Sequence, residues 1–258
     1  MLARAALLAM AATAVVAQDP AHGWMAYAVG TIPDQAERIT RLEMTWTVGK
    51  EPKHSFAFFS PWFGMDPDDN LNLVQPVNPW SGRAWSMYTE YFQWSPTHNS
   101  NSKQFSVSAG DTLHGSIVYV AEQDAYELKQ TNTATGDVSS QIVPCQSGKR
   151  YRVPYVVYEK LFPCSSYPPD EVVTFSNVTV ECDGKPGCAV QWEAKVKDAN
   201  CNMQAHVDHV ADRNEISITW DTAAASKYDG LSVEELHGMN AGGWGERVAK
   251  HLMTMEDP

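Results

Sequence analysis

Short runs in which apolar and polar residues alternate recur along most of this chain. A strand sends successive side chains to opposite faces, so this period-two pattern predicts strands rather than helices. It predicts them at 55–59, 71–75, 85–94, 104–108, 112–119, 125–131, 151–161, 171–181, 189–197, 203–210 and 215–221. Turn formers separate the runs: Ala109-Gly110-Asp111, Thr135-Gly136-Asp137, Pro168-Pro169 and Asp183-Gly184. Many short strands with little helical periodicity predict an all-β protein, an antiparallel β-sandwich or jelly roll. No internal repeat or low-complexity linker interrupts it.

The two ends read differently. Met1 to Arg4 gives a short positive start, Ala5 to Val16 an apolar run, and Val15-Val16-Ala17 small residues at the cleavage positions. Residues 1–17 are therefore expected to be a signal peptide, the mature chain starting at Gln18 and being secreted. Residues 18–222 would form the sandwich and 223–258 a helical C-terminal tail. In that tail Ser232-Val233-Glu234-Glu235 has the form of a capping box, with Gly238 placed to stop the helix. Val248, Leu252 and Met255 repeat at helical spacing in a second segment, 244–255. No later stretch is long and apolar enough to span a bilayer, so no membrane association is expected.

Two strand segments carry candidate chemistry. Leu71-Asn72-Leu73-Val74-Gln75 ends in a side-chain amide, and Val156-Val157-Tyr158-Glu159-Lys160-Leu161 holds a carboxylate among strand formers. Alternation puts Tyr155, Val157 and Glu159 on one face, and a lone carboxylate on an apolar face is costly unless paired or used. The alternative puts Glu159 on a wet face, with Arg152, Val156 and Tyr158 inside. By the same alternation Lys160 points away from Glu159.

The formal charge of −12 excludes an ordinary nucleic-acid surface, which needs a basic face. It suits a soluble secreted protein, including one working in acid. Cys145, Cys164, Cys182, Cys188 and Cys201 all lie in the second half, and an oxidising compartment favours disulfides among them. Cys145 and Cys164 bracket the Glu159 segment and Cys182 and Cys188 flank a turn, but five cysteines leave the connectivity open. His206-Val207-Asp208-His209 lacks the spacing of a metal motif, because His209 points away from its neighbours on a strand, so no metal or cofactor is expected. Asn177-Val178-Thr179 is an acceptor sequence for N-glycosylation.

Five segments, in order and spacing, resemble the eqolisins, the fungal-type glutamic endopeptidases. They are Phe59-Ser60-Pro61-Trp62-Phe63-Gly64-Met65-Asp66, Leu73-Val74-Gln75, Met87-Tyr88-Thr89-Glu90-Tyr91-Phe92, Phe105 to Thr112, and Val156-Val157-Tyr158-Glu159. The resemblance runs from about residue 56 to 180. It implies a concanavalin-like sandwich of two long antiparallel sheets, with Gln75 and Glu159 as the catalytic pair. It further implies that Asp66 and Glu90 orient that pair and that Trp62 and Tyr88 line the substrate site. The implied partner is a polypeptide substrate, and the protein is expected to act as a monomer. Pro76 after Gln75 and Lys160 after Glu159 depart from the family pattern. So do the roughly forty residues between Gln18 and Phe56, fewer than the propeptide that precedes the fungal catalytic domains.

The chemistry of the pair stands without the resemblance. Amide hydrolysis needs a base for water, a donor for the oxyanion and an acid for the leaving amine. A carboxylate serves as base and then acid, and an amide positions water without changing charge. The rival reading is a carbohydrate-binding or polysaccharide-cleaving sandwich using Trp80, Trp85, Tyr88, Tyr91 and Trp94, of which alternation sends about half to the core. A third reading is a non-catalytic interaction protein on the same scaffold.

Overall fold

The structure, a computed structural model, describes residues 23–53, 56–94, 96–146, 148–210 and 213–240. The leader-like segment 1–17 and the helical pattern at 244–255 lie outside them. In chain order the strands are β1 (Trp24–Thr31), β2 (Ile39–Thr47), β3 (Ser60–Pro67), β4 (Asn72–Val77), β5 (Trp85–Trp94), β6 (Thr97–Asn101), β7 (Phe105–Val107) and β8 (Thr112–Val120). They continue as β9 (Ala125–Asn132), β10 (Val138–Pro144), β11 (Tyr151–Glu159), β12 (Val172–Cys182), β13 (Lys185–Pro186), β14 (Gln191–Val196), β15 (Gln204–Val210) and β16 (Arg213–Thr219).

Two eight-stranded sheets result. One runs β14-β1-β11-β3-β4-β5-β6, with β7 on β5; the other runs β10-β9-β8-β2-β12-β16-β15, with β13 on β12. Every pairing is antiparallel. The protein is thus the all-β sandwich that alternation predicts. The core lies between the sheets, where Phe63 and Met65 of the first meet Leu42, Met44, Leu113 and Ile117 of the second, all buried. Contact there is close: a Cβ on Gly115 would lie 2.6 Å from the Phe63 ring and 3.1 Å from Pro76. Pro76 therefore points inward against the opposite sheet. Gln75, its neighbour, faces the other way, so the proline does not obstruct it.

Several expectations need correction. Over the described part of the predicted strand at 55–59, residues 56–59, no strand forms: Phe59 makes only an isolated bridge to Trp80, and the strand starts at Ser60. The stretch before Phe56 supplies β1 and β2, which are integral to the two sheets. Their alternation was obscured by residues buried in succession in β1 (Trp24, Met25, Ala26) and by charged Arg41 and Glu43 in β2. Both β6, which is wholly polar, and β10, with apolar Val138 and Ile142 exposed, also escaped the pattern. Cys145 does not pair with Cys164; the disulfides are Cys164–Cys201 and Cys182–Cys188. Burial pushes the lone Cys145 thiol up to about 11.

The helix α1 (Val233–Met239) begins with the expected capping box: the Ser232 side chain accepts from the Glu235 N–H, and the Glu235 carboxylate accepts from the Ser232 N–H. Gly238 lies inside this helix rather than ending it, and Asn240 is the C-cap. Buried Asn240 accepts from the Leu161 N–H (2.8 Å) and donates to the Leu161 carbonyl (3.0 Å). His237 packs edge-on against Phe58. The helix is therefore fastened to the chain just after β11. Among the described residues no helix is long and apolar enough to cross a membrane.

Candidate active site

Strands β11, β3, β4 and β5 are adjacent in the first sheet, and each carries buried side chains on both faces. In β11, Val156 and Tyr158 enter the inter-sheet core, while Tyr155, Val157 and Glu159 take the outer face. The alternative reading had half of the parity right: Val156 and Tyr158 are inside, yet Glu159 is not wet, being only 7 % exposed. Arg152 stays at the margin beside Asp68 (3.8 Å), because a bulge between Tyr151 and Val153 breaks the alternation.

The outer face holds a second apolar cluster drawn from this sheet alone. Trp24, Trp62, Leu73, Val77, Tyr88, Phe92, Tyr155 and Val157 form it. Trp62 stands between Val157 on one side and Val77 on the other in register, with Trp24 edge-on against it at 5.2 Å. Gln75, Glu90 and Glu159 share this face with the cluster. Gln75 and Glu90 are direct cross-strand partners, and the Gln75 amide donates to a Glu90 carboxylate oxygen at 2.7 Å. Asn99 of β6 donates to the other Glu90 oxygen. The Gln75 side chain is thereby oriented, and its carbonyl oxygen is buried with no hydrogen-bond partner among the described residues. Such a group requires a water or a ligand group. Gly64 makes room for the arrangement: a Cβ there would lie 2.5 Å from the Val74 carbonyl and 3.0 Å from the Gln75 Cβ.

The six residues singled out from sequence all fall on this face: Trp62 and Asp66 by parity in β3, Gln75 in β4, Tyr88 and Glu90 in β5, and Glu159 in β11. Among the described residues no hydrogen bond joins Gln75 to Glu159, which flank β3 from opposite sides and are offset along it: Gln75 lies beside Gly64, the partner of Tyr155, whereas Glu159 pairs with Ser60. Burial, reinforced by the Glu90 and Glu159 carboxylates, holds the Tyr88 hydroxyl well above the usual phenol range, so Tyr88 is a neutral neighbour of both. Asp66 is further along β3. Its carboxyl is fully buried, bonds to neither Gln75 nor Glu159, and has no hydrogen-bond partner among the described residues. Burial, with Asp69 adding and Lys149 opposing, raises its pKa well above the carboxylate norm. The orienting hydrogen bond that the resemblance implies is not found among the described residues.

Lys160 reverses its expected direction. Its φ of +93° turns the chain out of strand geometry, and its ammonium lies 3.5 Å from a Glu159 oxygen instead of on the far face. Trp24 and Asn99 were not foreseen because β1 and β6 were not. The aromatics of the rival reading are divided: Trp80, Trp85 and Tyr91 belong to the inter-sheet core, and Tyr88 with half-buried Trp94 to the outer face. The His206 ring bonds to Thr219 (3.0 Å), and among the described residues no group of three or more His, Cys, Asp or Glu is set to hold a metal.

An antiparallel two-sheet sandwich with acid and amide side chains on one outer face defines the class to which this protein is comparable. Scytalido-glutamic peptidase, solved with a peptide-based transition-state analogue, is similar over 76 % of this chain and 98 % of its own, with a TM-score of 0.57 and 17 % identity. SCP-B, described as a member of the eqolisin family and solved with the tripeptide Ala-Ile-His, is similar over the same shares with a TM-score of 0.55 and 17 % identity. The chain shares their fold. No protein-family profile matches it, and no curated protein does.

Proposed function

We propose that this protein is a secreted glutamic-type endopeptidase that hydrolyses polypeptides with water activated between Gln75 and Glu159. The observation that carries the reading is the outer face itself. On an otherwise apolar surface it gathers a carboxylate, an amide fixed by a second carboxylate, and a neutral phenol. The buried Gln75 carbonyl oxygen, without a partner among the described residues, is an acceptor in want of a donor, as a bound water would supply.

In this mechanism the Glu159 carboxylate and the Gln75 amide act on one water, which requires the four-residue offset between them along β3 to close around a bound substrate. Glu159 takes its proton as the oxygen attacks the scissile carbonyl carbon. The second N–H of Gln75, the one not given to Glu90, donates to the developing oxyanion. Glu159 then passes the proton to the departing nitrogen as the carbon–nitrogen bond breaks, leaving a carboxylic acid and an amine. Base and acid catalysis of this kind contributes about 10²–10⁴-fold, and one oxyanion donor about 10²–10³-fold. Trp62 and Tyr88 would bound the substrate. The two disulfides suit an oxidising compartment.

The test is cleavage of a denatured protein across about pH 2 to 8 by the mature chain, beside Glu159→Gln and Gln75→Ala. Cleavage lost in both variants supports the pair. Cleavage that survives both moves the site elsewhere, and no cleavage by the folded parent at any pH removes the peptidase reading. The sugar-binding reading gains nothing from the burial of Trp80, Trp85 and Tyr91.

A further inference from the structure

Lys160 sits where neither strand alternation nor side-chain preference would put it. Lysine rarely adopts a positive φ, and residues held there persist only where their surroundings over-determine them. Here the surroundings do. The Lys160 N–H donates to the Gly23 carbonyl (2.9 Å), and the Lys160 carbonyl accepts from the Tyr167 hydroxyl (2.6 Å). The next residue, Leu161, is gripped at both backbone groups by Asn240. Contacts from the start of β1, the turn after β11 and the end of α1 thus fix one reversal of the chain. Its result is to fold the lysine back beside Glu159, with the lysine side chain 2 % exposed and that of Glu159 9 %.

An ammonium so enclosed needs a counter-charge, and a carboxylate so enclosed needs the same. The other groups around Glu159 do not provide it. β1 places Trp24 opposite it and β3 places Ser60. β5 brings Tyr88, which is neutral, and Glu90, which is like-charged and engaged by Gln75 and Asn99. Lys160 is the cation that faces it among the described residues.

We propose that Lys160 is a positioning residue for Glu159: its ammonium, 3.5 Å from the carboxylate, holds it on the outer face and is the counter-charge of the group that acts as base. This rests on the peptidase reading for its catalytic consequence, but the pairing can be tested without it.

The experiment compares the parent with Lys160→Met, which keeps length and loses charge, and Lys160→Arg, which keeps charge. Two quantities are read: the pH profile of peptide cleavage, split into kcat and KM, and the titration of the Glu159 carboxyl followed by carbon-13 NMR. In Lys160→Met the acid limb of kcat and the NMR midpoint should both move up by about 1–3 pH units, the span typical of losing one adjacent charge. KM should change little, and Lys160→Arg should restore most of the parent profile. Should Lys160→Met fail to fold, Lys160→Gln removes the charge while keeping a polar N–H donor and makes the same comparison. An NMR midpoint that stays put in the neutral variants overturns the proposal. A parent that cleaves nothing would sink the peptidase reading alone, and the carboxyl titration would still decide the pairing.

Discussion

Replacing Asp66 with Asn should make the protein more stable near neutrality and change its stability little in acid. Asp66 is fully buried on β3, without a hydrogen-bond partner among the described residues, and its pKa is raised well above the usual carboxylate range, chiefly by burial. The folded protein therefore keeps a proton that the unfolded chain has released above about pH 3.9. Unfolding then releases a proton, and stability falls as pH rises from that value until the folded pKa is reached. Each pH unit in this window costs about 1.4 kcal/mol, so between pH 4 and 7 the ceiling is about 4 kcal/mol. That is a large part of a typical domain's 5–15 kcal/mol, roughly stated. Asn has nearly the same shape and does not titrate. Urea unfolding of parent and Asp66→Asn at steps from about pH 3.5 to 7 would measure the difference free of every other titrating group. The difference should be smallest in acid and grow towards neutrality in favour of Asn. Parallel stability curves, offset by a constant, would refute the reasoning and mean that Asp66 is ionised and satisfied in the folded state.

Three further outcomes follow from the same geometry. Gly64→Ala puts a Cβ 2.5 Å from the Val74 carbonyl and against Gln75; it should cost about 1–3 kcal/mol in thermal or urea unfolding and lower cleavage more than its effect on folding explains. Asn240→Ala strands the Leu161 N–H and carbonyl; it should cost about 1–3 kcal/mol for each group left buried and unpaired, and limited proteolysis should then cut first near α1. Breaking Cys164–Cys201, which spans a sequence separation of 37, by Cys164→Ser with Cys201→Ser should cost about 2–4 kcal/mol, whereas Cys145→Ser should cost under about 1 kcal/mol by the same melting assay.

The sandwich was legible because most of its strands keep a period of two: β5 matches its predicted bounds, and β8, β9 and β12 match theirs within a residue. Strands were missed where burial departs from simple alternation. β1 lies between β11 and β14 and buries Trp24, Met25 and Ala26 in succession, so its pattern is not that of a half-wet strand. β6 is paired to β5 through its backbone and carries only polar side chains, which no hydrophobic signal can reveal. The disulfide of Cys164 bridges two turns brought together only by the tertiary fold, and spacing along the chain holds no record of that.

The candidate site was legible for a related reason, and failed to be so at one residue for an instructive one. Parity along single strands groups Leu73, Gln75 and Val77, then Tyr88, Glu90 and Phe92, then Tyr155, Val157 and Glu159. The sheet then lays these three triplets on a common face, with Trp62 between them. Parity assumes that the strand continues. At Lys160 it ends in a left-handed turn, and the rule that placed Glu159 correctly sends its neighbour to the wrong side. The missing information is held by Gly23, Tyr167 and Asn240, residues from three distant parts of the chain that fix that turn. A buried cation beside the proposed base is thus written not in the local sequence but in the contacts that stop the strand. A lysine at this position in another chain would carry the same consequence only if that chain also stopped its strand there.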